Sequence, residues 1–212
     1  MTRIVSIVVA SIVLSLVTCA WACSSPATPV RFSDQWPTKV GGYEDTAEHW
    51  TRRGVLRAPF SEQGSQLVEL YATFLSTEWR AAYVDRQAAV QKLSTKRRQE
   101  LQSEQQERAQ EGYEIELLVS TYHPQHNELH RERSIWRVSL VDEAGNEILA
   151  NRIEKDRRPR QVVSAEFAHF GDFAEAYRVR FPHSPGLWQG KKFSLRVSSS
   201  LGLVEVHWDA KR

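Results

Sequence analysis

Residues 134–142, Ser-Ile-Trp-Arg-Val-Ser-Leu-Val-Asp, form the stretch that most constrains the fold of this chain. If the stretch is extended, Trp136, Val138 and Leu140 lie on one face and polar side chains lie on the other. This period of two, rich in β-branched and aromatic residues, predicts a half-buried strand. The strand is followed by a turn in which Gly145 can adopt a positive φ without steric cost. We therefore expect a small β-sandwich built around this strand.

Similar alternation recurs through the second half of the chain. The predicted strands cover residues 113–121, 148–153, 162–169, 177–181, 193–197 and 204–208. Residues 67–75 fit helical as well as strand spacing, and their β-branched and aromatic side chains favour a strand that opens the sandwich. Strands at this spacing, separated by Gly and Pro turns, are typical of antiparallel sandwiches. We expect a mainly β, immunoglobulin-like antiparallel sandwich in which residues 148–153 pair back across the Gly145 turn.

Residues 77–111 are predicted to form a two-helix hairpin inserted in, or projecting from, the sandwich. Ser76 and Ser94 are suited to cap the two helices through their hydroxyl groups, and Gly112 is suited to end the second helix. The first helix has an apolar stripe that begins at Trp79 and should pack on the sheet. The second helix is so polar that we expect it to be largely solvated.

The N-terminus has the organisation of a secretory signal peptide over residues 1–22. Arg3 precedes an apolar run at residues 4–17, and Ala-Trp-Ala stands immediately before Cys23. Cys23 followed by Ser-Ser-Pro resembles the lipobox of bacterial lipoproteins, which implies that its thiol receives a diacylglyceryl group and anchors the chain in a membrane. Ala20 stands where a lipobox usually has Leu. Plain secretion and an uncleaved anchor therefore remain alternatives.

Composition limits the remaining organisation and the partners. Residues 23–45 contain three prolines and no periodicity, so they are expected to form a flexible tether before a single domain at residues 46–212. Without the leader, the 190 remaining residues carry 27 Lys and Arg against 26 Asp and Glu. That balance lacks the basic field that nucleic-acid binding needs. Cleavage leaves one cysteine and no possible intrachain disulfide. We expect no nucleic-acid partner and no cofactor.

A lipobox-like leader occurs here with two characteristic strands, Trp-Arg-Val-Ser-Leu-Val-Asp at 136–142 and Tyr-Arg-Val-Arg-Phe-Pro at 177–182. This organisation resembles uncharacterised envelope lipoproteins of Gram-negative bacteria, those of myxobacteria in particular, over most of residues 79–208. The resemblance implies a lipid-anchored protein of the cell envelope, in the outer membrane and facing the periplasm. The resemblance implies no known activity and no functional site. The partner we expect is another envelope protein or assembly.

Three histidines define the alternative function, a metal-binding protein or metal-dependent enzyme. His123, His126 and His130 stand close together with Glu128 between them, and imidazole and carboxylate are ligands that Zn²⁺ prefers. Pro124 and the flanking strands favour a polar loop instead, and no hydrolase His-Glu-x-x-His motif is present. There is also no Gly-x-Ser-x-Gly turn. The chain is therefore predicted to be non-enzymatic.

Two basic runs are the candidate partner-binding sites. One is Arg157, Arg158 and Arg160 in a compact loop, where guanidinium forks suit a phosphate or lipid headgroup. The other run, at the start of the second predicted helix, contains Lys96, Arg97 and Arg98. Positive charge there opposes the helix dipole, which hints at an acidic partner.

Two other groups of residues have side chains typical of sites. The aromatic side chains around Gly171 suit core packing, although an exposed patch of them could recognise a sugar or a peptide. They are Phe167, Phe170, Phe173 and Tyr177. Glu114 and Glu116 are expected on the outward face of their strand, with ordinary solvated carboxylates.

Overall fold

Two antiparallel sheets form the frame of the protein. The computed structural model describes residue 30, residues 32–58 and residues 66–210. The first sheet has five strands in the order β1-β2-β3-β7-β6, and the second has four in the order β5-β4-β8-β9. The strands are β1 Thr51–Arg57, β2 Gln66–Phe74, β3 Tyr113–Thr121, β4 Arg137–Val141, β5 Glu147–Leu149, β6 Arg152–Lys155, β7 Glu175–Phe181, β8 Lys192–Ser199 and β9 Gly202–Asp209. The prediction of a mainly β, sandwich-like fold is confirmed.

Five helices accompany the sheets in the described part of the chain. They are α1 Tyr43–Trp50, α2 Thr77–Val90, α3 Thr95–Glu111, α4 Arg160–Glu166 and α5 Gly186–Gln189. A short 3-10 turn covers Pro124–His126. None of the helices described is both long enough and apolar enough to cross a bilayer.

The predicted central strand corresponds to β4, and its apolar face is buried as the alternation requires. Val138 pairs with Val197 and Leu140 pairs with Leu195 on β8. Both β4 residues belong to one core cluster that also contains inward residues of the five-stranded sheet. The turn after β4 has Gly145 at φ +86°, as predicted. Burial of this shared face therefore joins the two sheets.

The two sheets approach each other closely at Gly54 of β1. A Cβ atom at this position would collide with the side chains of Val204 and Val206 on β9. Only a residue without a side chain allows β1 and β9 to pack at this distance.

The predicted hairpin at residues 148–153 is only partly formed. Ile148 pairs with Leu140 in the four-stranded sheet. The chain then leaves that sheet, because Asn151 donates its N–H to the carbonyl of Arg180, and β6 pairs with β7 in the other sheet. The segment therefore connects the two layers of the sandwich.

The helical hairpin is confirmed, with both predicted caps. The hydroxyl oxygen of Ser76 accepts the N–H of Trp79 at 3.1 Å, and that of Ser94 accepts the N–H of Arg97 at 3.3 Å. In α2, Trp79 is buried and stacks on Phe167. In α3, Gln105 is the one buried residue. The first helix therefore packs on the sheet and the second is mostly solvated.

The prediction of a strand at residues 162–169 is wrong. This segment contains α4, which follows Pro159, a residue whose fixed φ and missing N–H suit the start of a helix. The carbonyl of Pro159 accepts the N–H groups of Val162 and Val163. Val163 is buried whereas Val162 is exposed, so only one of these two β-branched residues reaches the core.

The packed part of the chain begins before residue 46, inside the segment interpreted as a tether. Val30 is fully buried, its N–H donates to the carbonyl of Asp209 at 2.7 Å, and it forms a parallel bridge with Ala210. Phe32 packs against Phe193. These apolar side chains hold residues 30 and 32 on the sandwich. The predicted signal peptide at residues 1–22 and the lipidation site Cys23 lie outside the described residues.

Candidate functional site

The outer face of the five-stranded sheet carries two buried carboxylates. Glu114 and Glu116 lie on the face of β3 opposite Ile115 and Leu117, which face the other sheet. The sequence predicted that this outer face is solvated, and that prediction is wrong because α2 and α4 cover it. The side chain of Glu116 has 0% exposure. Buried carboxylates need partners, and the sheet and the hairpin supply arginines.

Arg80 of α2 is the deepest of these partners, with 1% exposure. Its Nη2 lies 2.6 Å from Oε2 of Glu114, its Nη1 donates to Oε1 of Gln105 at 2.8 Å, and its Nε donates to the carbonyl of Leu75 at 3.0 Å. Burial raises the pKa of the Glu114 carboxyl, but the charge and hydrogen bond of Arg80, together with the charges of Arg178 and Arg180, bring that pKa below its ordinary value. The ion pair with Glu114 and the hydrogen bond to Gln105 join α2 to β3 and α3.

Glu116 is held by Arg178, its neighbour across β3 and β7. Nε and Nη2 of Arg178 lie 3.0 and 2.9 Å from Oε2 of Glu116, whereas Oε1 of Glu116 has no hydrogen-bond partner in the described part of the chain. Burial raises the pKa of Glu116 to about 7, although the charge of Arg178 acts in the opposite direction. The negative charge beneath Arg178 is therefore only partly present at neutral pH.

An open cleft of about 600 Å³ lies above this buried layer. It is lined by Arg108, His130, Ile153, Glu154, Lys155, Asp156, Arg157, Arg158, Arg178 and Arg180. Six of these residues are Lys or Arg and two are acidic. They come from α3, from the loop between β3 and β4, from β6 and the loop after it, and from β7. We call this surface the basic cleft.

The buried carboxylates fix the arginines in the floor of the basic cleft. In the strand register, Arg180 lies opposite Glu114 on β3 and Arg152 on β6, and Nη2 of Arg152 forms an ion pair with Glu154 at 2.8 Å. Nε of Arg180 lies 2.8 Å from Oε1 of Glu114, close enough for an ion pair. The N–H at this Nε is buried, and it forms no hydrogen bond with any of the described residues. Each of the two arginines that face each other across β6 and β7 therefore has its own carboxylate partner, Glu114 for Arg180 and Glu154 for Arg152.

Other cations of the basic cleft differ in how far their charge is neutralised. Arg158 forms ion pairs at 2.6 Å with both Asp156 and Glu166, which fix its position. Arg108 and Arg157 have no ion-pair partner within residues 30, 32–58 and 66–210. These two rim arginines are the ones available to an incoming anion.

The structure brings only part of the predicted basic loop to the basic cleft. Arg157 and Arg158 line it, whereas the guanidinium of Arg160 points elsewhere. Arg160 donates to the carbonyls of Gly171, Asp172 and Ala174 at 2.7–3.1 Å and lies over the ring of Phe170. Arg160 therefore stabilises a loop, and its predicted role in partner binding stays a prediction.

The second predicted basic run lies away from the basic cleft. Lys96, Arg97 and Arg98 are exposed in the first turn of α3, about 15 Å along the helix from Arg108. Arg97 pairs with Glu100 and Glu104, and Arg98 pairs with Asp85. The structure therefore does not combine the two basic runs in one surface.

The three histidines are not gathered into a metal centre. The rings of His123 and His126 lie 5.5 Å apart, centroid to centroid, whereas the ring of His130 lies against Tyr177. Within the residues that the structure describes, no group of three or more His, Cys, Asp or Glu side chains is placed to hold a metal ion. The carbonyl of His126 instead accepts the indole N–H of Trp136 at 2.7 Å, which anchors this loop to the start of β4.

Sequence reasoning missed Arg108, Arg178 and Arg180 as site residues. A signal for the last two exists, because Arg178 and Arg180 alternate in one strand just as Glu114 and Glu116 alternate in another. Such complementary patterns indicate cross-strand ion pairs if the two strands are neighbours. The order of strands in the sheet is needed before that signal can be used.

Comparison of the chain with protein-family models, with curated proteins and with solved structures found no match in any of the three. The geometry of the site is therefore the basis for the proposed function.

Proposed function

We propose that this protein is a non-enzymatic, lipid-anchored protein of the cell envelope that binds an acidic segment of another envelope protein. Its anchor is a lipid on Cys23, its domain is an immunoglobulin-like sandwich, and its binding surface is the basic cleft. The observation that carries the proposal is the group of six Lys and Arg side chains on one cleft of a chain that is nearly neutral overall. Localised positive charge of this kind favours an anionic partner.

The basic cleft is preorganised, which supports binding rather than simple solubility. Arg178 and Arg180 are held from below by Glu116 and Glu114, and Arg158 is held by two carboxylates. Their side chains lose little conformational entropy when an anion binds, because most of that entropy is already lost in the free protein. A planar guanidinium also matches a carboxylate through two parallel hydrogen bonds.

The shape of the basic cleft favours an extended acidic peptide. It lies beside β6, which is an edge strand of the five-stranded sheet. An edge strand presents unpaired backbone N–H and C=O groups, to which an extended peptide can add as a further strand. Carboxylates of such a peptide would then meet Arg108 and Arg157 at the rim. The combination of backbone pairing and charge would give both affinity and orientation.

Charge reversal at the rim tests the binding surface. Replacing Arg108 and Arg157 together by Glu is expected to weaken binding of fluorescein-labelled poly-L-glutamate about tenfold or more, measured by fluorescence anisotropy. The change removes two attractive charges and adds two repulsive ones. Thermal unfolding should be almost unchanged, because neither side chain has an ion pair in the described part of the chain.

The control is Lys96→Glu, which reverses one exposed cation at the other end of α3, against two in the rim variant. We expect this variant to bind poly-L-glutamate almost as well as the unaltered protein. A loss of binding free energy half as large as that of the rim variant, or larger, would show that binding depends on net charge alone and would contradict the proposed cleft. Absence of binding by the unaltered protein at low salt would contradict it as well.

The intact mass of the mature protein from the membrane fraction tests the anchor. A chain beginning at Cys23 and carrying acyl groups is expected, and Cys23→Ser should abolish both the modification and membrane retention. An unmodified chain beginning at residue 23, or one that still contains Arg3, would contradict the lipid anchor. The first result would indicate plain secretion and the second an uncleaved anchor.

A further inference from the structure

A second cleft of about 600 Å³ lies where β2 begins, β3 ends and β7 begins. It is lined by Gln66, Leu67, Ser120, Thr121, Tyr122, Pro124, Asn127, Arg160, Asp172, Phe173, Ala174 and Glu175. We call it the aromatic cleft, because the rings of Tyr122 and Phe173 are at its surface. The aromatic cleft is lined by one Lys or Arg residue, Arg160, and by two carboxylates. Its ligand must therefore differ from that of the basic cleft.

Its two aromatic rings are unusually exposed. Phe173 is 90% exposed and Tyr122 is 70% exposed. Phe173 is the most exposed large apolar side chain among the described residues. Other aromatic residues of this region are covered, since Phe167 and Tyr177 are buried in the core. Two uncovered rings that share one cleft indicate a binding surface more strongly than scattered single residues do.

The loop that carries Phe173 is held in place, so exposure of the ring does not reflect a loose chain. The Arg160 guanidinium donates hydrogen bonds to the carbonyls of Gly171, Asp172 and Ala174. The N–H of Ala174 also donates to the carbonyl of Gly171 at 3.1 Å. These bonds fix the backbone on both sides of Phe173. The same arginine that was predicted to bind a partner thus positions the exposed ring.

Tyr122 is held from the other side of the aromatic cleft. Its N–H donates to the carbonyl of Leu67 at 2.9 Å, which extends the pairing of β2 and β3 by one residue. Its ring contacts His123 edge to face, at 4.9 Å between centroids. The rings of Tyr122 and Phe173 are therefore attached to backbone segments that are fixed before any ligand binds.

Side chains that can form hydrogen bonds surround these rings. Ser120 contributes a hydroxyl group and Asp172 a carboxylate. The hydroxyl of Thr121 donates to the carbonyl of His123, and the amide nitrogen of Gln66 donates to Glu69, so these two side chains offer their oxygen atoms as acceptors. The Asp172 side chain has no hydrogen bond or ion pair within the part of the chain that the structure describes. Exposed rings interspersed with hydroxyl, amide and carboxylate groups suit a ligand that is apolar on its faces and polar at its edges.

We propose that the aromatic cleft binds a carbohydrate chain. A pyranose ring presents C–H groups on its faces, which pack on Phe173 and Tyr122, and hydroxyl groups at its edge, which bond to Asp172 and the neighbouring polar side chains. A neutral oligosaccharide matches a cleft with little net charge, whereas the acidic peptide proposed for the basic cleft does not. This site is independent of the basic cleft and goes beyond the function proposed above.

Isothermal titration of the full-length protein with cellohexaose and chitohexaose tests this site. We expect binding of at least one of the two, and a loss of about tenfold or more in affinity for Phe173→Ala and for Tyr122→Ala. Because both side chains are exposed, neither change should lower the melting temperature appreciably. The control is Leu149→Ala, which removes an exposed apolar side chain on the other sheet and should leave binding unchanged.

Three results would overturn the assignment. They are no heat of binding with either sugar, binding that is unaffected by Phe173→Ala, and an equal loss in Leu149→Ala. A fourth informative result is Phe173-dependent selection of peptides from a random library together with no sugar binding. That result would assign the aromatic cleft to a protein partner and would also overturn the carbohydrate proposal. None of these results bears on the poly-L-glutamate experiment, so the two clefts are tested separately.

Discussion

Replacing Arg80 by Leu is expected to lower the free energy of unfolding by about 3–5 kcal/mol. The arginine is buried and pairs with Glu114 at 2.6 Å. Its removal leaves that carboxylate in the core without its principal counter-charge, and also leaves the Leu75 carbonyl and the Gln105 amide oxygen without this donor. Urea denaturation followed by circular dichroism measures the change.

The double variant Arg80→Leu with Glu114→Leu separates the cost of an unpaired charge from the cost of lost packing. We expect the double variant to be more stable than Arg80→Leu alone, because it has no buried carboxylate at position 114 that lacks its arginine partner. Arg97→Leu, at an exposed ion pair of α3, is the matched control and should leave the free energy of unfolding almost unchanged. A loss of similar size in Arg80→Leu and Arg97→Leu would contradict the central place given to the Arg80 ion pair.

Replacing Trp208 by Ala is expected to cost about 3–5 kcal/mol, the second large effect. Trp208 is fully buried on β9 and stacks on Phe193 with 5.0 Å between ring centroids. Its indole N–H donates to the carbonyl of Trp50 at 3.0 Å, at the junction of α1 and β1. The substitution leaves a large cavity and an unsatisfied carbonyl between the two sheets.

Leu203→Ala provides the comparison for Trp208→Ala in the same denaturation experiment. Leu203 lies on the same strand but is 48% exposed, so its removal should change the free energy of unfolding by only about 0.5 kcal/mol. If the two substitutions had equal effects, Trp208 would not be the main connection between β9 and the α1–β1 junction.

The buried ion pairs and the rim of the basic cleft have different expected roles. Arg80 and Glu114 stabilise the packing of the hairpin on the sheet, whereas Arg108 and Arg157 at the rim contribute charge without ion pairs in the described part of the chain. Substitutions of Arg80 or Glu114 are therefore expected to change the free energy of unfolding. Substitutions of the two rim arginines are expected to change the affinity for the acidic ligand. The predictions for Arg80 and for the rim arginines test this division directly.

Local sequence patterns were sufficient for most secondary structure. The alternation around Val138 and Leu140 predicted β4, and the hydroxyl groups of Ser76 and Ser94 predicted the starts of α2 and α3. Both kinds of signal depend on residues within a few positions along the chain. The same reasoning failed at residues 162–169, because two adjacent valines suit a strand as well as a helix whose first turn follows Pro159.

The sequence by itself determined the mainly β sandwich, the capped helical hairpin and the expectation of a lipid-anchored N-terminus at Cys23. Only the tertiary structure decided that α2 and α4 cover the outer face of β3, which buries Glu114 and Glu116 and pairs them with arginines. It also decided which distant cations share a cleft. The physical reason is that periodicity shows that a strand has two faces, whereas the burial of each face depends on elements far away in the chain.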